Sequence, residues 1–231
     1  MRKRDVIKRT LFTLDKWGLL AALVMGALIL YFGSFGGYGM FFILVLIWFL
    51  ALSALATSFK KEAKKRIGVY ERARGWKNVV ANGAVPFIVA MLFFLNMKYD
   101  IVTPTVLVVS YVASVGAVAA DKFSSEIGVL GGKPVSIISF KEVEIGKSGG
   151  ISFLGSAAGV FASMLVALSL FNTKYFTFYF LVVVAASFIG NVFDSIFGHF
   201  EENGIGNKYT SNAACSLIGF VSCFLILIYL A

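Results

Sequence analysis

The stretch "IVTPTVLVVSYVASVGAVAADKFSSEIG", Ile101–Gly128, opens with twenty residues that carry no charge. Twenty apolar residues are what a helix needs to cross a bilayer of about 30 Å hydrocarbon thickness. Asp121, Lys122, Ser124, Ser125 and Glu126 then crowd into six positions. A solvated helix end needs one or two charges, so the cluster asks for a chemical reason.

The rest of the chain has the same character. Of its 231 residues 59% are hydrophobic and 14% are charged. Soluble domains run nearer half apolar and about a quarter charged, so the composition predicts an integral membrane protein. Seven apolar runs stand out, at 17–32, 40–59, 79–97, 101–120, 151–171, 175–193 and 213–231. They are continuous rather than alternating, which favours helices over barrel strands. The expectation is one all-α polytopic transmembrane domain, 1–231, with about seven spans. The third run is the weakest: its apolar part, Ala84–Met97, is short and Pro86 sits near its start. That pattern leaves a tilted, broken or re-entrant segment open. The basic start "MRKRDVIKR" precedes an apolar run without a small-residue cleavage site, so a cleaved signal is not expected.

Lys and Arg set the expected orientation. With the N-terminus inside, segments 1–16, 60–78, 121–150 and 194–212 face the cytoplasm and hold 19 of the 21 basic residues. Eleven of the twelve acids fall on the same side, Asp100 being the exception. The net charge of +9 then needs no nucleic acid partner; positive-inside bias and attraction to anionic headgroups account for it. Any chemistry is expected at the cytoplasmic face of a multi-pass protein of the cell membrane.

Two helices carry matching polar faces. Ser110, Ser114, Ala117, Asp121, Ser125 and Gly128 follow one another at spacings of three and four, as do Ser187, Asn191, Asp194 and Gly198. Residues so spaced share one face of a helix. The small residues have a plain structural use, because they let helices approach closely; that use also permits a homodimer. The aspartates do not fit it. Acids beside a membrane interior are costly and mark function. Glu126 is a metal ligand if the helix opens after Ser125, and an ion-pair partner of Lys122 if it does not. Asn82 and Asn212 recur just inside the third and seventh spans and would add two amides to the same pocket; Asn78 and Asn207 read as helix caps.

The segment 121–150 holds an extended stretch, Val135–Phe140, then "EIGKSGG". A P-loop needs a glycine five residues before its Gly-Lys pair, and Lys141 stands there. What remains is a turn, Gly149-Gly150, expected to open the next helix with Lys147 beside it, a sensible phosphate site. His199, the one histidine, reads as an interfacial residue. Cys215 and Cys223 read as packing residues, too far apart to pair within a straight helix. Without a His/Cys cluster, a bound metal would be hard and oxygen-ligated, hence Mg²⁺-like.

Four ordered motifs, "ADKFSSEIG", "GKPVSIISFKEVEIGKSGGISFLGSAAG", "GNVFDSIFGH" and "NKYTSNAACSLIG", resemble the membrane family of the phytyl-phosphate kinase and transmembrane protein nineteen. The resemblance runs from about residue 72 to 219. Lys122 stands where that family often has threonine, and "TSNAACS" lacks the acid often found before its last asparagine. The resemblance implies CTP-dependent phosphorylation of an isoprenoid monophosphate to the diphosphate. It implies Mg²⁺ on Asp121, Glu126 and Asp194. Phosphates would meet Lys147, Gly149 and Gly150, with charge added by Lys133, Arg72 and Arg74. Asn82 and Asn212 would orient acceptor or base, and Ser124, Ser125 and Ser195 would line the pocket. A membrane cytidylyltransferase, or another lipid-headgroup phosphotransferase, would use the same metal and nucleotide. A transporter fits less well, because the acids gather at one mouth rather than at the midplane.

Overall fold

The computed structural model describes residues 14–70 and 75–230. Arg72 and Arg74 therefore lie outside the described residues. Among the described residues eight α-helices follow in order: α1 Lys16–Ser34, α2 Gly39–Ser58, α3 Lys61–Arg66, α4 Trp76–Tyr99, α5 Pro104–Gly128, α6 Phe153–Ala167, α7 Phe176–Glu202 and α8 Lys208–Leu230. All but the short α3 are long and apolar enough to cross a membrane, α6 by counting the 3-10 turn Leu168–Leu170. A small hairpin, β1 Val135–Ser136 antiparallel to β2 Gly150–Ile151, joins α5 to α6. Only β1 lies within Val135–Phe140, the stretch expected to be extended; residues 137–139 form a turn instead.

The Ile101–Gly128 stretch is the centre of the molecule. As α5 it packs against α2, α4, α6, α7 and α8, and 94% of its most apolar window is buried. The small and polar face read from the spacing lies on one continuous helix, α5. In addition every face of α5 meets protein, and its Val, Ala, Ser and Gly side chains are small enough to admit a neighbour on each side. Its N-terminal half is locked by Tyr111, which stacks on Phe42 with ring centroids 4.1 Å apart and donates to the Phe42 carbonyl at 3.0 Å. The turn into α5 is held by buried Asn96. It accepts from the Ile101 and Val102 amides and donates to the Val102 carbonyl at 2.7 Å.

The third span is one unbroken helix of 24 residues despite Pro86. Proline lacks an N–H, so the carbonyl of Asn82 loses its helical donor, but the helix continues through it. Helices also outrun their apolar runs. At 1.5 Å per residue, α7 with its 27 residues is about 40 Å long, longer than a hydrocarbon layer of about 30 Å is thick. The same is true of α5, which continues to Gly128, and Asp121–Glu126 and Asp194–Glu202 therefore sit on helix rather than on loop.

The double glycine does not open α6. Ser152 is the cap, accepting from the Gly155 amide at 3.1 Å. Gly150 belongs to β2, and its amide faces the Lys147 carbonyl at 3.4 Å.

Candidate functional site

A layer of very small residues fixes where the acids meet. A Cβ on Gly190 would come within 2.5 Å of the Cys215 carbonyl and 2.9 Å of the Ala117 Cβ; one on Gly219 would come within 2.7 Å of the same Ala117 Cβ. Thus α7 and α8 close directly on α5, and the Cys215 thiol donates to the Ala117 carbonyl at 3.4 Å. One turn onward from Ala117 is Asp121, and one turn onward from Gly190 is Asp194. Because α8 runs the other way, Ser211 and Asn212 stand one turn before Cys215. The small-residue faces are thus engaged inside the chain.

The Asp194 carboxyl stands beside the Asp121 carboxyl and Ser211. Its Oδ1 is buried with no hydrogen-bond partner among the described residues. Asp121 and Asp194 border a cavity of about 460 Å³ at this end of the bundle. The wall is more polar than apolar, with Lys122, Ser124, Ser125, Asn191, Ser195 and Asn212 in it beside the two acids, together with the Gly146–Ser152 loop and a few aliphatic side chains such as Val118 and Ile145. A Cβ on Gly159 would strike Ser124 Oγ at 2.3 Å; its absence leaves room for Ser124, which accepts from Asn191 Nδ2 at 3.0 Å and donates to the Gly155 carbonyl at 3.0 Å. The two asparagines expected to share a pocket do so directly. Asn212 Nδ2 donates to Asn82 Oδ1 at 2.9 Å, and Asn82 Nδ2 donates to Asn78 Oδ1 at 3.1 Å. Asn78, expected to be a simple cap, is the end of this amide chain.

Two expected members are placed differently. Glu126 does not join a metal-binding trio with the aspartates, because α5 stays helical past Ser125. Its Oε1 takes Lys122 and the Thr57 hydroxyl at 3.0 Å, while its Oε2 takes Lys64 at 2.7 Å. The expected alternative, an ion pair with Lys122, is the arrangement found, enlarged by a second lysine. Lys133 is exposed on the hairpin and pairs with Glu142 at 3.1 Å, outside the cavity wall.

The Lys147 loop is tied down by an acid that the sequence reading passed over. Glu202 accepts from the Ser148 amide at 3.1 Å and faces Lys147 at 3.9 Å. Gly149, at φ +78°, sits against α7; a Cβ there would be 2.6 Å from the His199 amide nitrogen. Glu201 is a second missed acid: it lines the cavity and its Oε1 is buried without a hydrogen-bond partner among the described residues. Its signal was spacing, since Asp194, Gly198 and Glu201 continue the face that was followed only as far as Gly198. Lys64 was missed for another reason, as one lysine in a run of five basic residues, distinguished only by the fold.

Among the described residues, no group of three His, Cys, Asp or Glu side chains converges at metal-binding range. Mg²⁺ does not require one. It keeps several waters and commonly takes one or two carboxylates plus substrate phosphates. Two adjacent carboxyls with an unpartnered buried oxygen fit that habit.

No solved structure matches the chain. Among curated proteins it is 32% identical, over 212 residues, to the uncharacterized membrane protein MJ0933 of Methanocaldococcus jannaschii, covering 89% of this chain and 82% of that one. It is 29% identical, over 206 residues, to the chloroplastic protein VTE6 of Arabidopsis thaliana, where the match covers 87% of this chain and 60% of the longer relative. The model of the integral membrane protein family DUF92 matches residues 6–220. Nearly the whole described bundle lies within that match, and the chain belongs to this family.

Proposed function

We propose that the protein is a CTP-dependent kinase that converts an isoprenoid monophosphate, of the phytyl or geranylgeranyl type, to its diphosphate at the cytoplasmic face of the cell membrane. The observation that carries this reading is the meeting of Asp121 and Asp194, from two helices, in the wall of a polar cavity at one end of an apolar bundle. An acid pair with an unfilled buried oxygen calls for a cation, and phosphoryl transfer is chiefly positioning and charge neutralisation.

Asp121 and Asp194 would hold Mg²⁺, which when bound would neutralise developing charge on the transferred phosphoryl group. The remaining steps need only the chain's own groups. Lys147 and the Gly146–Gly149 loop cover the phosphates, and the Asn78–Asn82–Asn212 chain orients base or acceptor. An acceptor phosphate oxygen attacks the γ-phosphorus of CTP; the bond from that phosphorus to the β–γ bridging oxygen breaks, and CDP leaves. The nucleophile is already an anion, so no general base is required, and the buried serines serve as wall. The lipid tail stays in the apolar layer while its phosphate reaches the cavity.

The test is direct. Protein in detergent with Mg²⁺, labelled nucleotide and prenyl monophosphates of C15–C20 is expected to yield labelled diphosphate, with CTP preferred among the four nucleotides. No product from any combination refutes the reading. Release of pyrophosphate in place of CDP would make the enzyme a cytidylyltransferase.

A further inference from the structure

The buried charges around Glu126 do not balance. Glu126 is 9% exposed, Lys64 is wholly buried and Lys122 is 5% exposed. Within this trio one carboxylate faces two ammonium groups, a local excess of +1 counted over the three side chains. Uncompensated buried charge is strongly unfavourable unless something opposes it.

The two lysines are not equivalent. An ammonium has three N–H donors. Lys64 uses all three, on the Ala56 carbonyl at 2.8 Å, the Thr57 carbonyl at 2.9 Å and Glu126 Oε2 at 2.7 Å. It is a structural rivet between the end of α2 and α5. Lys122 Nζ has one hydrogen-bond partner among the described residues, Glu126 Oε1. Two of its donors are left over, and Lys122 borders the cavity that Asp121 and Asp194 also line. Lys122 thus combines nine-tenths burial, unfilled donors, excess positive charge and access to a polar cavity.

We propose that Lys122 is an anion-binding residue of this cavity, giving its ammonium to a phosphate oxygen of the bound substrate, while Glu126, pinned by Lys64 and Thr57, holds the lysine in position. The phosphate as ligand rests on the kinase reading; that an anion binds there rests on the charge and donor count alone. The phosphate would belong to the nucleotide or to the lipid, and both offer the same oxygens.

The first measurement uses the unaltered protein in detergent with EDTA, so that divalent cations contribute nothing. Inorganic pyrophosphate is titrated calorimetrically. The protein is then reductively methylated with and without pyrophosphate, and modification at Lys122 is read by mass spectrometry. Pyrophosphate is expected to bind and to protect Lys122 while leaving exposed Lys133 equally modified. The second measurement compares Lys122→Gln and Lys122→Arg. A charged hydrogen bond in a desolvated site predicts pyrophosphate binding about 10- to 100-fold weaker for Lys122→Gln, with recovery in Lys122→Arg. In the kinase assay the KM that rises identifies the source: that for CTP if the nucleotide is held, that for a soluble prenyl monophosphate if the lipid is. Absence of pyrophosphate binding, equal methylation of Lys122 in both conditions, or binding by Lys122→Gln within two-fold of the parent overturns the proposal. If Lys122→Gln does not fold, the protection experiment on the unaltered protein still decides. Protection without kinase activity would leave the anion site standing and remove the kinase reading. Activity with unchanged KM values in Lys122→Gln would do the reverse.

Discussion

Replacing Glu126 by glutamine separates two roles for this residue by the sign of a stability change. Among the described residues Glu126 is the carboxylate that pairs with both Lys64 and Lys122, whose side chains are 0% and 6% exposed. Glutamine keeps the shape and one acceptor oxygen but raises the cluster from +1 to +2. Breaking a buried ion pair by removing one partner typically costs about 3–5 kcal/mol; because the amide oxygen still accepts from one lysine, the lower end, about 3 kcal/mol, is expected. Lys64→Met leaves a neutral Glu126–Lys122 pair but strips the Ala56 and Thr57 carbonyls of their donor, at about 1–3 kcal/mol for an unsatisfied buried group. Lys122→Met leaves Glu126 paired with Lys64 and orphans nothing in the backbone, so about 1 kcal/mol or less is expected from the lost hydrogen bond. The order of destabilisation is therefore Glu126→Gln, Lys64→Met, Lys122→Met. Unfolding in mixed detergent and SDS micelles, followed by tryptophan fluorescence in EDTA, measures it. A Glu126 that bound metal beside Asp121 and Asp194 would behave oppositely: without metal, neutralising one of three crowded carboxylates would stabilise the protein. A Glu126→Gln variant as stable as the parent, or more so, refutes the ion-pair reasoning.

Three further outcomes follow from the same geometry. Asp194→Asn should unfold no earlier than the parent, because it removes a buried charge beside Asp121, yet lower kcat by at least about 100-fold in the kinase assay, an electrostatic loss of about 2.7 kcal/mol or more; a retained rate would remove Asp194 from the site. Gly149→Ala places a Cβ 2.6 Å from the His199 amide nitrogen at φ +78°, so the loop should leave α7, with a loss of about 1–3 kcal/mol and faster proteolysis within 141–152; unchanged cleavage would contradict the docked loop. Cys215 and Cys223 are both free and buried, so neither should react with maleimide until SDS unfolds the bundle, and prompt labelling would show that α8 does not pack as described.

The span count and the acid-bearing mouth were legible because both are local properties. Apolar runs report helices one by one, and spacings of three and four report which side chains share a face. The pairing of Asp121 with Asp194 was readable for the same reason, since each stands one turn beyond a small residue, Ala117 or Gly190, that marks a close helix contact. What hydropathy could not tell is what surrounds a helix. The 101–120 run is apolar enough to face lipid, but its neighbours are other helices on all sides. Side-chain size, rather than hydropathy, was the readable clue, because a helix of Val, Ala, Ser and Gly gains little from lipid and much from close packing.

The ion-pair cluster shows a sharper limit. The spacing of Lys122 and Glu126 raised their pairing as one of two alternatives, and it left the count of charges at that point even. Lys64 changes the arithmetic from a distance of 62 residues, through a short helix whose sequence, "KEAKKR", reads as solvated. Only the fold turns one of those lysines inward, onto the carbonyls that close α2. Once it is there, Glu126 can no longer be a free carboxylate and Lys122 can no longer be a balanced lysine. The residue with chemistry to offer then shifts from the glutamate to the lysine four positions before it, facing the same cavity as the two aspartates.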